Sequence, residues 1–146
     1  MAALVKRRRQ LIDMRTAETN YLDVCLCHPD VRSMVTAMRK IINKQIPATI
    51  VYEDEKVLAF KDISPVAPVH ILFIPKLHIE NIQDLTPETV EYVAAIHLAA
   101  KKVAEDFKIS DKGFRFISNC GSGAGQTVFH LHYHMIGGIP LGAKMI

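Results

Sequence analysis

No stretch of this 146-residue chain stays apolar for anything near the roughly 20 residues that a membrane-spanning helix requires. Nor does an apolar signal-peptide core follow its amino-terminal basic residues. A soluble, non-secreted protein with no membrane partner is expected. Cysteine is scarce: Cys25, Cys27 and Cys120 are odd in number, and two of them lie too close in sequence for an ordinary disulfide framework. The stretch Cys25-Leu26-Cys27-His28 has the form of half a metal site, but no second Cys/His pair at a familiar spacing completes four ligands. A reducing compartment is the simplest setting.

Excess positive charge is also missing from the bulk of the chain. The net charge of +3 owes itself to residues 1–16, where Lys6, Arg7, Arg8, Arg9 and Arg15 face only Asp13, and the remainder carries −1. A nucleic-acid-binding domain would hold that excess on its folded part, so nucleic acid is not an expected partner. The basic leader reads as a solvated tail, with a nuclear signal or a weak organelle-targeting peptide as alternatives, and the expected location is cytoplasmic or nuclear.

What is present is an apolar fraction of 49%, enough for one substantial core in a chain of common domain size. Pro29-Asp30 marks a boundary between a basic extension over residues 1–30 and a single domain over 31–146. A helical pattern covers about 31–44. Three short β-branched and aromatic runs follow, Ala48 to Glu53, Val57 to Lys61 and Pro68 to Pro75. Thr86-Pro87-Glu88 signals a helix start, and the helix runs to about Phe107 with Val93, Ile96, Ala100, Val103 and Phe107 on one stripe. That stripe should pack on a sheet or a partner subunit. Gly113 to Ser118 and Val128 to Ile136 read as a fourth and fifth strand. Consecutive strands without intervening helices imply antiparallel pairing, so the class is α+β with about five strands and two main helices.

The fifth run holds the chemistry. In Phe129-His130-Leu131-His132-Tyr133-His134-Met135 the alternation is strict, which in a strand would put three imidazoles on one face and the apolar residues on the other. Same-face neighbours lie roughly 6.5–7 Å apart, so the middle imidazole can approach a substrate while its neighbours reach the same group. Spacing therefore nominates His132 as the centre. A three-histidine zinc site is the rival reading, although ligands at i, i+2 and i+4 of a straight strand converge poorly on one ion. Ahead of the run, the turn Gly121-Ser122-Gly123-Ala124-Gly125 lets backbone N–H groups approach an anion, and it is neither a Walker loop nor a dinucleotide fingerprint.

Together, Gly125 to Ile136 resembles the signature of the histidine triad (HIT) family, three histidines alternating with apolar residues after a Gln-Ser/Thr pair. The block Phe60-Lys61-Asp62-Ile63-Ser64-Pro65-Val66-Ala67-Pro68-Val69-His70-Ile71-Leu72-Phe73-Ile74-Pro75-Lys76 is similar to the nucleoside-binding half of the HINT branch of that family, and the likeness runs from about Met38 to Gly138. The resemblance implies a two-fold homodimer and the hydrolysis of purine nucleoside 5'-phosphoramidates, AMP or GMP joined to an amine, with no cofactor and no metal. It makes His132 the nucleophile that takes up the nucleotidyl group before water releases it. His134 and His70 would hold the phosphate, His130 would support the strand, and Thr127 would contact the leaving group. Asp62 would hold the ribose. Met38, Ile41, Phe60, Ile63 and Leu72 would enclose the base, with Lys61, Asn119, Gly125, Gln126 and Val128 completing the nucleotide-binding set.

His28, His78 and His97 carry no such support and read as surface or structural histidines. Two departures stand out: Thr127 where many HINT proteins have Ser, and a tail, Ile139 to Ile146, without the aromatic, proline-rich ending common there. Cleavage of dinucleoside polyphosphates, nucleotidyl transfer, or nucleotide binding with little turnover are the alternatives on the same scaffold. The Asp-Ile-Ser-Pro turn and Gly137-Gly138 favour the phosphoramidase reading.

Overall fold

A computed structural model describes residues 31–144. The expected extension over 1–30, with its Cys25-Leu26-Cys27-His28 stretch, lies outside the described residues. In chain order the elements are helix α1 (Val31–Ile42), strands β1 (Ile50–Glu53), β2 (Val57–Lys61) and β3 (Val69–Pro75), helix α2 (Val90–Asp106), and strands β4 (Phe114–Ile117) and β5 (Tyr133–Gly137). All five described strands form one antiparallel sheet in the order β1-β2-β3-β5-β4, so the α+β class holds, and among the described residues so does the five-strand, two-helix count. Among the described residues no helix is long and apolar enough to cross a membrane.

Strand periodicity sorts side chains into two layers. On one face Val57, Ala59, Val69, Ile71, Phe73 and Met135 pack beneath Ile96, Ala99, Ala100, Val103 and Ala104 of α2. The helix stripe therefore closes on the sheet of its own chain. The other face carries Leu58, Phe60, Leu72 and Ile74, covered by Met38 and Ile41 of α1 and by Val128. The β1–β2 turn is closed by the Asp54 carboxylate, which accepts from the N–H groups of Lys56 and Val57. Helix α2 begins at Val90, later than the Thr86 signal indicates. Thr86 and Thr89 first build a separate turn in which Thr86 accepts from the N–H groups of Thr89 and Val90 and Thr89 Oγ1 accepts from Thr86 N–H.

Strand β5 is shorter than its alternation implies. The run expected from Val128 joins the sheet only at Tyr133, so of the three histidines only His134 is a strand residue. The cause is local hydrogen bonding that competes with the ladder. Leu131 N–H donates to Ile79 O at 2.6 Å, and the His132 ring turns back onto the carbonyl of His130. Ser118 Oγ then supplies a donor, at 2.9 Å, to the His132 carbonyl just beyond the end of strand pairing. At the other end of β5 the tail folds back beside the sheet edge, where the Arg115 guanidinium donates to the carbonyls of Gly142 and Lys144.

Candidate active site

The face opposite α2 gathers the titratable groups. In the antiparallel register of β3 and β5, Leu72 lies opposite His134 and His70 opposite Ile136, which makes His70 and His134 a diagonal pair on one face. Their rings meet with His70 Nε2 2.9 Å from His134 Nδ1. Asp62, on the turn after β2, brings Oδ2 to 3.5 Å from His70 Nε2. The same carboxylate accepts from Ser64 N–H through Oδ1, an Asx turn that fixes the loop.

Backbone groups decide which ring nitrogens carry protons. His132 Nδ1 lies 2.8 Å from the His130 carbonyl, which can only accept, so His132 is protonated at Nδ1 and Nε2 keeps its lone pair. Val66 N–H donates to His70 Nδ1 at 3.2 Å, so the His70 proton resides on Nε2. That proton is given to His134 Nδ1, which leaves His134 with an N–H at Nε2. Asp62, His70 and His134 bring three ligand-type atoms within 4.8 Å of one another. With these protons in place, the trio is joined as a hydrogen-bonded relay, Asp62 beside His70 and His70 Nε2–H donating to His134 Nδ1.

Burial keeps these rings neutral. It pushes His134 down to about 4, with the neighbouring His132 and His70 acting in the same direction and Asp62 against them. His132 is also lowered, chiefly by burial, opposed by its bond to the His130 carbonyl and by Asp62. His70 is lowered by burial and partly restored by Asp62. A site that holds three neutral imidazoles can supply a nucleophilic lone pair and N–H donors together.

Not every expected residue joins this cluster. His130, 1% exposed, points its ring away from the other two, with Nε2 2.8 Å from the Pro75 carbonyl, so the three-imidazole ligand set does not assemble. Met38, Ile41, Phe60, Leu72 and Val128 meet in one apolar cluster beside the histidines. Ile63 stands outside that cluster and is 60% exposed. Lys61 alternates to the opposite face of the sheet, where its ammonium lies over the Phe107 ring.

Gln126 is buried and spends its amide on its surroundings: Oε1 accepts from Gly121 N–H, and Nε2 donates to the carbonyls of Glu80 and Val128. It holds the glycine loop in a short 3-10 turn, Ser122–Ala124, which ends at Gly125 in the left-handed region with φ 81°. Thr127 follows it at the surface, and among the described residues its N–H and that of Val128 donate to no protein group. Asn119 sits half-buried at the start of the loop. Two contributors carry no sequence signal. Val66 acts through its backbone, and Ser118 only ends a strand-like run.

The HIT domain family matches residues 43–141. This chain belongs to the HIT family. It is 44% identical over 110 residues to a purine nucleoside phosphoramidase of Escherichia coli, covering 75% of this chain and 92% of that protein. It is 50% identical over 105 residues to a HIT-like protein of Synechocystis, covering 72% and 91%. Among solved structures, a HIT family hydrolase of Clostridium thermocellum superposes with a TM-score of 0.74 at 54% identity over 75% of this chain and 96% of that one. A histidine triad protein of Clostridium difficile gives 0.69 at 47% identity over 72% and 91%. The five-stranded sheet and the two helices of the described residues are thus those of the HIT fold.

Proposed function

We propose that this HIT-family hydrolase cleaves purine nucleoside 5'-phosphoramidates through a covalent intermediate on His132 Nε2. The observation that carries the reading is the bond from His132 Nδ1–H to the His130 carbonyl, which leaves Nε2 as a bare, buried lone pair. Nε2 bonds to the α-phosphorus as the bond from phosphorus to the amine breaks, and the amine departs with its electron pair and takes up a proton from solvent, which the attacking water of the second step returns. Water then attacks the same phosphorus and frees the imidazole. His134, with N–H at Nε2, donates to a phosphate oxygen, and the N–H groups of Thr127 and Val128 stabilise the charge that grows there. Asp62 accepts from the ribose hydroxyls.

The base lies between exposed Ile63 and the apolar cluster of Met38, Ile41, Phe60, Leu72 and Val128. Thr127 faces the leaving group, and Asn119 and Gly125 line the phosphate end. Gln126 works by shaping the loop, and Lys61, on the other face, takes no part. The likeness to the Escherichia coli phosphoramidase supports this substrate class over polyphosphate cleavage. The test is mass spectrometry after brief acid quenching with an AMP-amine substrate. An AMP adduct on His132 is expected, and an adduct elsewhere or none during turnover would reject the mechanism.

A further inference from the structure

His78 lies outside the three alternating histidines, and its residue is exposed at the surface beyond β3. Its ring nonetheless turns inward. The Nδ1 atoms of His78 and His130 are 3.1 Å apart, with ring centroids 5.2 Å apart and planes tilted by 40°. Two such nitrogens attract only if one is protonated and the other bare. His130 Nε2 faces the Pro75 carbonyl at 2.8 Å, so the single proton of the neutral ring is on Nε2 and its Nδ1 is bare. The donor is therefore His78, and its N–H fills the one basic position left on His130.

We propose that His78 is a positioning residue for the nucleophile: its Nδ1–H locks the buried, neutral His130 ring in one tautomer and shields its bare nitrogen from solvent, which keeps the His130 carbonyl aimed at Nδ1–H of His132. This rests on the reading that His132 is the nucleophile. The titratable and charged groups that face His130 are His78, His132 and, from α1, Arg39. Of these, His78 alone hydrogen-bonds the ring. With its N–H in place, a second proton on His130 would meet a donor head-on. Without it, solvent reaches a bare nitrogen, and a charged His130 would oppose the positive charge that His132 acquires on bonding to phosphorus. A surface histidine thereby acts on a buried one, and through its main chain on a third.

The test uses full-length protein with ¹⁵N-labelled histidine, as wild type, His78→Ala and His78→Asn. Asparagine can place an amide N–H near the position of Nδ1, and alanine cannot. In wild type and His78→Asn, the ¹⁵N shifts of His130 should report the neutral Nε2–H form throughout about pH 6 to 7.5. In His78→Ala the ring should gain a proton or populate the second tautomer. The kcat for an AMP-amine substrate should fall about tenfold in His78→Ala with KM within about twofold, and His78→Asn should recover to within about threefold of wild type. Wild-type His130 shifts and kcat in His78→Ala would overturn the proposal, and so would a His78→Asn as impaired as His78→Ala, which would make the contact one of packing alone. The spectrum reads His130 without turnover. Absence of an AMP adduct on His132 beside an intact His78-dependent tautomer would thus reject the nucleophile reading and leave the lock standing.

Discussion

His132 and His130 share a strictly alternating run, yet their surroundings divide them. His132, 8% exposed, presents a bare Nε2, whereas His130 has both ring nitrogens engaged. Replacing His132 with Asn should slow the chemical step by about 10⁴-fold or more, ~5.5 kcal/mol of transition-state stabilisation, in single-turnover assays. Nucleotide affinity should persist, because Asp62 and the apolar cluster are untouched. His130→Ala should cost less activity than that. It should also lower stability by about 1–3 kcal/mol in urea denaturation, because it removes a buried ring that bonds Pro75 O and His78. The pH profile follows from burial. With His132 held below its ordinary 6.5, the lone pair stays available as the medium is acidified, so the acid limb of kcat/KM should lie below pH 6.5. A limb at or above that value would show that the ring is not desolvated.

At the scale of the element, β5 shows what a pattern of residues does and does not determine. The two-residue period correctly places Tyr133 and Met135 on the α2 side and His134 on the other. It cannot show that the ladder stops at Tyr133. That boundary depends on Ile79 O and Ser118 Oγ, which lie 52 and 14 residues away in sequence and reach the run only through the fold. The proton positions are equally hidden, since they rest on the Pro75 carbonyl and the Val66 amide, a carbonyl that every residue type offers and an N–H that every type but proline offers. Residues of the site were legible because side-chain chemistry names them, and their orientation was not. Lys61 illustrates the converse: its neighbour Phe60 belongs to the apolar cluster, but one step along a strand reverses the face. Just after β5, Gly138 has φ 85°, and an added Cβ would come within 3.2 Å of Pro68. Gly138→Ala should lower the urea midpoint by an amount equivalent to about 1–2 kcal/mol.

For the whole molecule, we propose a domain over residues 31–146 that pairs as a homodimer. Strand β4 is a sheet edge with four half-buried residues, and Leu98 of α2 is 71% exposed. Light scattering should give roughly twice the 16.4 kDa chain mass, and a monomer at micromolar concentration would reject the pairing. Stability should also follow the buried imidazoles. His130 and His134 titrate near 4 in the folded chain against about 6.5 when unfolded, so the unfolded state binds more protons between those values. Their contribution is complete above about pH 6.5 and is lost as pH falls towards 4, and thermal melts across that window should show the midpoint dropping.

The bond from His132 to a main-chain carbonyl also closes a circuit. A peptide carbonyl takes a hydrogen bond but does not carry a proton onward, and the Val66 amide behind His70 is equally inert as a conductor. The inner side of the His132 ring is insulated. In the proposed mechanism, proton traffic to and from His132 must use the outer nitrogen, the one that would attack phosphorus, so while the adduct exists that nitrogen is blocked and the ring has no exit by which to shed its charge. The cation of the proposed adduct would thereby be trapped until water breaks the bond, which would keep the imidazole a good leaving group for the second half of the reaction.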